Sequence, residues 1–526
     1  MGYVLINESI LSSIGNILRS KLSTSSTFTP IEFINGINNI DTIWMDVKEC
    51  KSDTLYDPYT LSLNNFYKYI RYKSISIPNC SYIGSGAFER ANLTNSCVQE
   101  ILDNYKSYST VINDSVFMYC SGITSLDLTG YTSIGDYAFG YCTRLSYISL
   151  PNVSYIGSGA FIGCSLSYIN LPNCSYIGGY AFYACSNLSY ISIPNVSYIG
   201  YTAFGYCYKL SSISIPSCSY ISTSAFYSCI NLSYISPMPN CSYIGSSAFG
   251  GCNNLASIDI PNCSYIGGNA FCNCTNLSSI DLPNCEYIGS GAFWNCRNLS
   301  SISIPNCSYI GSSAFHTCSN LSYISLPNVS YIGSGAFYDC SRLTNSNIQE
   351  ILDNYKSYST IINNNVFISC SGITSLDLTG YTSIGGSAFQ NCINLSYISL
   401  PNVSYISGSA FTFCSKLEYI NLPNCSYIGS GVFYNCDNLT SISLPNCSFI
   451  GYSAFYMCDN LSAIYILSTV VPTLSNSNAF GYTPITGISY MGKYGSIYVL
   501  SSLVDSFKTA TNWSVYADRI TAYTGT

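Results

Sequence analysis

Two carboxylates open the search for chemistry. Asp259 and Asp281 stand 22 residues apart, in the near-identical phrases "SIDIPN" and "SIDLPN". If those phrases mark equivalent positions on neighbouring strands, the carboxyls lie about 5 Å apart. That spacing suits one bound cation or the paired acids of a retaining glycosidase. No partner residues recur around them, and a solvated acidic pair is the default reading. His316 is the only histidine, so a Ser-His-Asp or Cys-His site would have to use it. It follows Phe315 in a variable position and is expected to be exposed.

The 28 cysteines suggest metal or disulfide chemistry until their positions are compared. Sixteen lie three residues after a Phe, and nine follow Pro-Asn or Pro-Ser, where Val153, Val196, Val329 and Val403 also occur. Exchange with valine marks a small buried apolar position. Side chains stacked in register point the same way, which suits bridging poorly, so reduced, buried thiol ladders are expected. No paired C-x-x-C exists, and Cys272-Asn273-Cys274 has no second pair to complete a zinc site. Nothing implies a metal, a cofactor or a catalytic residue.

Tyrosine is the remaining candidate, with 51 copies. One stripe comprises Tyr147, Tyr168, Tyr190, Tyr234, Tyr323, Tyr397 and Tyr419, with Ser at that position in other units. A second precedes an Ile-Gly pair at Tyr155, Tyr176, Tyr198, Tyr220, Tyr243, Tyr265, Tyr287, Tyr309 and Tyr331. Tyr with Ser gives contact area at low entropic cost, the vocabulary of antibody paratopes. Such rails could stack on sugars or grip a protein. Tyr is also simply a good strand residue that covers the rung beneath it, and the sequence leaves both readings open.

The elements that place these residues follow from one repeated sentence, of which "LSYISLPNVSYIGSGAFYDC" (321–340) is typical. Most Ala-Phe pairs recur every 22 residues, a period of leucine-rich repeats. Ile324 and Leu326 are two apart and share the buried face of a short strand, with Tyr323 and Ser325 on the other. Pro327-Asn328 ends that strand. "SYIG" reads as a second extended piece with Ile332 inward, and Gly333 and Gly335 permit the next bend. "AFYDC" packs Ala336, Phe337 and Cys340 inward as a helical or 3₁₀ turn. One unit buries too little to stand alone, so stability belongs to the stack. Roughly 18 rungs at about 4.8 Å predict an axis of about 85 Å.

Asn recurs two residues after the Cys, as at Asn231, Asn394 and Asn460, and is expected to satisfy backbone groups at the bend. "VQEILDNYKSYSTVINDSVF" (98–117) returns almost unchanged 250 residues later as "IQEILDNYKSYSTIINNNVF" (348–367). Each copy predicts a helical insertion, near 95–112 and 345–362.

Composition narrows the partners. Only 8% of residues are charged, and 18 Lys and Arg face 25 Asp and Glu, for a net charge of −7. Without a basic cluster, nucleic acid is not an expected partner. No apolar stretch is long enough to insert in a membrane. The N-terminus lacks the basic start and apolar run of a secretory signal.

"LEYINLPNCSYIGSGVFYNC" (417–436) and its near-copies resemble the BspA-like, or Treponema pallidum type, leucine-rich repeats. The L-x-x-I-x-L-P, I-G and F-x-x-C elements carry the match over roughly 74–466. The resemblance implies a right-handed parallel β-solenoid or horseshoe. It also implies a surface protein of bacteria, some protists or their phages that binds host molecules or other cells, with no catalytic residue. Residues 1–40 predict two short helices, a cap or an attachment module similar to segments that open tail-associated proteins of gut phages. Residues 41–73 read as a linker and first capping segment, 74–466 as the solenoid and 467–526 as a C-terminal cap. The expected function is non-catalytic adhesion to a cell-surface glycan or protein through the first stripe, outside the cell. A tail-associated phage or prophage protein is the leading setting. A surface adhesin of a host-associated bacterium, or a purely structural spacer, is the alternative.

Overall fold

The computed structural model describes residues 43–47, 70–75, 82–486 and 492–525. The helical module expected at 1–40 lies outside them. Strands Ile43–Val47 and Ile70–Ile75 pair in parallel. The chain divides into two compact units, Met1–Asp259 and Ile260–Thr526, each a parallel β-solenoid built on the same rung.

In the first unit, strands Ser125–Asp127 and Tyr147–Ser149 pair with each other. A second ladder runs through Tyr168–Asn170, Tyr190–Ser192, Ser212–Ser214 and Tyr234–Ile235. Opposite them, two-residue strands form a longer ladder from Val111–Ile112 to Tyr243–Ile244. Register is set by identity: Ile191 faces Ile169 and Ile213, and Tyr198 faces Tyr176 and Tyr220. A one-residue slip would turn every Ile outward, so the buried face enforces this pairing. In the second unit the equivalent strands run Ser279–Asp281 to Tyr323–Ser325 and Ser375–Asp377 to Ala463–Ile466. Ile324 and Leu326 are buried and Tyr323 is exposed, as the alternation requires.

The Ala-Phe segment corrects the expectation of a helical or 3₁₀ turn. It folds as successive tight turns with a left-handed residue two before and two after the Phe in all rungs but that of Phe480, for instance Gly335 (φ 66°) and Asp339 (φ 56°) around Phe337. Alternate N–H groups close turns within the rung, as Cys120 N–H to the Phe117 carbonyl (3.1 Å). The others reach the next rung, as Phe117 N–H to the Ala138 carbonyl and Tyr119 N–H to the Gly140 carbonyl (2.8 Å each). A third hydrogen-bond ladder therefore joins the rungs. A left-handed non-glycine residue costs roughly 1–2 kcal/mol, so this backbone exists only where neighbouring rungs hold it. Gly333 also differs from expectation: it is required for close approach, since a Cβ there would lie 2.4 Å from Ser312 N.

Inside, columns of identical side chains stack. Phe139, Phe161, Phe182, Phe204, Phe226 and Phe249 lie parallel at centroid spacings of 5.2–5.6 Å. The two cysteine positions prove unlike. After each Phe, the thiol donates to the carbonyl of the preceding rung's Phe, as Cys142 to Phe117 (3.0 Å) and Cys207 to Phe182 (3.1 Å). After Pro-Asn, the thiol instead bonds within its own rung, as Cys285 to Tyr287 (3.4 Å). Valine can replace only the second kind without losing a contact between rungs. The asparagines after the Cys donate to the preceding rung, as Asn231 to the Tyr208 carbonyl (2.8 Å). Those after Pro form a further column, as Asn173 to the Pro151 carbonyl (2.7 Å).

The duplicated insertions form helices α1 (Asn95–Tyr105) and α2 (Asn345–Tyr355). Each caps a strand edge by side-chain mimicry. Asn95 Oδ1 accepts Thr124 N–H (2.6 Å), while Gln99 accepts Asp127 N–H (2.9 Å) and donates to its carbonyl (2.8 Å). Asn345 and Gln349 repeat these bonds on Thr374 and Asp377. At the other end, strands Ser496–Val499 and Ile520–Ala522 extend the ladder beyond Ala463–Ile466. Helix α3 (Val504–Thr509) brings Phe507 against Trp513, whose Nε1–H reaches the Pro472 carbonyl (2.8 Å). Among the described residues no helix is long and apolar enough to cross a membrane.

Candidate recognition surface

The first tyrosine stripe stands on the outward face of the first strand of each rung. Tyr147, Tyr168, Tyr190, Tyr234, Tyr323, Tyr397 and Tyr419 are all exposed. Alternation forces this: each is followed by a buried Ile, so its own ring must leave the sheet on the solvent side. The stripe is interrupted. Tyr168 and Tyr190 stack at 5.7 Å, and Tyr397 and Tyr419 at 6.2 Å. Ser212 separates Tyr190 from Tyr234 in register. Tyr323 has Ser301 on one side.

The second stripe is continuous within each stretch. In the first unit Tyr155, Tyr176, Tyr198, Tyr220 and Tyr243 form one parallel stack at 4.4–5.3 Å. In the second, Tyr265 to Tyr331 form a stack of four at 4.6–4.7 Å. Inside each stack the faces cover one another, while the end rings Tyr155 and Tyr331 are exposed. Burial pushes the phenols of Tyr155, Tyr176 and Tyr287 above their usual value.

A third aromatic surface went unnoticed in the sequence. On the turn face of the first unit, Tyr119, Tyr137, Tyr141, Tyr180 and Tyr206 occupy left-handed positions with φ between 54° and 61°, where most rungs place Ser, Asn or Gly. Tyr119 stacks on Tyr141 at 4.8 Å, while Tyr180 meets Tyr201, and Tyr206 meets Tyr227, edge to face. Arg90 lies over the Tyr119 ring at 5.0 Å. The signal was available as Tyr in the variable positions around Phe139, Phe182 and Phe204.

The carboxylate pair is split by the unit boundary. Asp259 ends the first unit, exposed and outside any strand, whereas Asp281 is exposed on a strand of the second. Among the described residues no group of three or more His, Cys, Asp or Glu side chains is arranged to hold a metal ion. His316 is half-buried rather than exposed, packed between Trp294 (5.1 Å) and Tyr338 (4.3 Å). That burial lowers its pKa, against the opposing pull of Asp339. The buried thiols are inert for the same reason: burial pushes Cys142, Cys185 and Cys229 up to about 12. None of the described cysteines forms a disulfide.

These features define a leucine-rich-repeat solenoid whose exposed chemistry is aromatic and hydroxylic. The chain belongs to the family described as BspA type leucine rich repeat region, whose model matches residues 110–233, 242–359 and 360–490. Solenoids of this type are typically non-catalytic. No curated protein sequence matches the chain. Among solved structures it is similar to a leucine-rich repeat protein from Bacteroides ovatus, at 25% identity over 64% of this chain and 82% of that one, with a TM-score of 0.40. A leucine rich cell surface protein from Faecalibacterium prausnitzii matches at 25% identity over 58% and 88%, TM-score 0.41. The leucine rich repeat protein of T. pallidum matches at 28% identity over 30% and 78%, TM-score 0.28.

Proposed function

We propose that the protein is a non-catalytic adhesin that contacts a cell-surface glycan or protein through the strand face carrying the first tyrosine stripe. The carrying observation is that, within each unit, these tyrosines are exposed on the outward side of its paired strands. Tyr presents an apolar face and a hydrogen-bonding tip, and Ser between them adapts to local shape. The protein then acts outside the cell, on a bacterial surface or a virion. Placement on a phage or prophage tail rests on residues 1–40 alone, as the attachment segment. Its test is gene context: tail and lysis genes beside this one support it, and export or sortase genes favour the bacterial surface.

The surface itself is tested by glycan-array and whole-cell binding of the Tyr147→Ser/Tyr168→Ser/Tyr190→Ser variant. Ser occupies this position naturally in other rungs, so folding is retained, and binding is expected to fall at least tenfold. Unchanged attachment by the folded variant would leave the stripe as a structural spacer.

A further inference from the structure

We propose that Tyr190, Ser212 and Tyr234 form a slot that takes a single pyranose ring of a neutral glycan between two tyrosine faces. The inference rests on the strand face being the binding surface and names the chemical class it recognises. The register places Tyr190 beside Ser212 and Ser212 beside Tyr234, so two rings flank a rung from which the ring is missing. Tyr168 covers the far side of Tyr190 at 5.7 Å. This difference shows in their exposure, 37% for Tyr190 against 57% for Tyr234. The faces turned toward Ser212 have no ring between them.

Width selects the occupant. Adjacent strands lie about 4.8 Å apart, which puts the two tyrosine positions about 9.6 Å apart. Carbon surfaces pack at about 3.5–4.0 Å, so a flat ring sandwiched between two others fills only about 7–8 Å of that span. A puckered saturated ring, with hydrogens standing off both faces, takes up the remainder. A flat aromatic side chain or peptide group does not. The floor is polar: among the described residues no intramolecular hydrogen bond engages the Ser212 hydroxyl or the Tyr190 and Tyr234 phenols, so all three are available to sugar hydroxyls.

Charge selects further. The outward positions of these four strands are Tyr, Ser and Asn, with no ionisable group besides the phenols. An acidic glycan would find no cation at these strand positions, and burying its charge there would be unfavourable. The arrangement occurs once in these ladders. In the second unit Ser279 and Ser301 precede Tyr323 without a ring on their other side, and Tyr397 and Tyr419 stack directly.

The test uses the full-length protein with cellohexaose, mannohexaose and chitohexaose as probes, read by calorimetry and saturation-transfer NMR, with whole-cell attachment in parallel. At least one hexaose is expected to bind, with saturation strongest at ring C–H groups. Ser212→Tyr installs the residue that flanking rungs already carry, so the fold survives while the slot is filled. Binding should weaken at least tenfold, and Tyr234→Ser should do the same by removing a wall. A hexaose that binds Ser212→Tyr as well as or better than the wild type overturns the slot, because added aromatic surface strengthens a continuous rail. Failure of all three hexaoses overturns it too. If cells still attach in that case, the slot fails while the adhesive face stands. If cells attach equally to the triple Tyr→Ser variant, the face itself fails.

Discussion

The two tyrosine stripes use the same residue at nearly the same spacing and reach opposite outcomes. On the second strand, Tyr155 to Tyr243 close into a parallel stack with centroids down to 4.4 Å. On the first, Ser interrupts the row and rings keep a face toward solvent. The difference lies in continuity rather than composition. An unbroken column satisfies its own π-faces and becomes part of the fold, whereas a broken one leaves faces for something else to cover.

The surroundings follow the same division. Rungs touch closely at the second strand, where Gly157, Gly178 and Gly200 each bring backbone to within 2.6–2.7 Å of where a Cβ would stand. Thiols of the Pro-Asn-Cys and Pro-Ser-Cys column lie beside it, as Cys174, whose S–H reaches the Tyr176 carbonyl (3.3 Å). The first strand has no comparable constraint on its outer face.

Alkali should weaken both cysteine columns together, and with the largest effect. Burial raises Cys174, Cys218 and Cys241 from 9.0 to about 12. Between those values the unfolded chain has released protons that the folded chain still holds, so unfolding is favoured as pH rises. Stability is therefore full below pH 9 and lost progressively toward pH 12. A series of thermal melts from pH 7 to 12 should be flat at first and then fall steeply. A flat profile to pH 11 would mean that the thiols are solvated.

Next in size is a single methyl group. Gly200→Ala would place a Cβ 2.6 Å from Gly178 backbone, and overpacking of this kind costs about 3 kcal/mol. Ser192→Ala, on the first strand of the same rung, should stay within about 0.5 kcal/mol. Urea unfolding of both variants reads the contrast, and equal costs would remove the structural distinction between the two sides.

The smallest effect separates the rings themselves. Tyr198→Ser removes two stacking contacts, at 5.0 and 5.3 Å, worth about 1–2 kcal/mol together. Tyr190→Ser removes one, at 5.7 Å, and should cost about 0.5 kcal/mol. For binding the order reverses: Tyr190→Ser weakens attachment and Tyr198→Ser leaves it intact.

Much of this was legible in the repeat. Ile324, Leu326, Phe337 and Cys340 recur at fixed offsets, and period two within the strand fixes which side of it each residue takes. The turn was not legible, because "GAFYDC" has the composition of a helical turn. Its left-handed positions are filled by Tyr, Thr, Ser, Asn or Met as readily as by Gly, so no residue type announces them; the ladder between rungs imposes the conformation. The capping role of Asn95 and Gln99 was hidden for a related reason, since their partners lie 28 to 30 residues away. The turn-face tyrosines escaped because the search followed positions that repeat, whereas these depart from the repeat. Of the candidate site, exposure of the first stripe followed directly from alternation. The one-ring gap at Ser212 could be read as a missing Tyr, but its meaning required the register.

The most direct measurement is hydroxyl-radical footprinting of the full-length protein, free and attached to cells, read residue by residue by mass spectrometry. The account predicts protection of Tyr190 and Tyr234 on attachment, with Tyr176, Tyr198 and Tyr220 unchanged. Protection confined to the stacked stripe or to the turn-face tyrosines, with Tyr190 and Tyr234 still fully reactive, would contradict it.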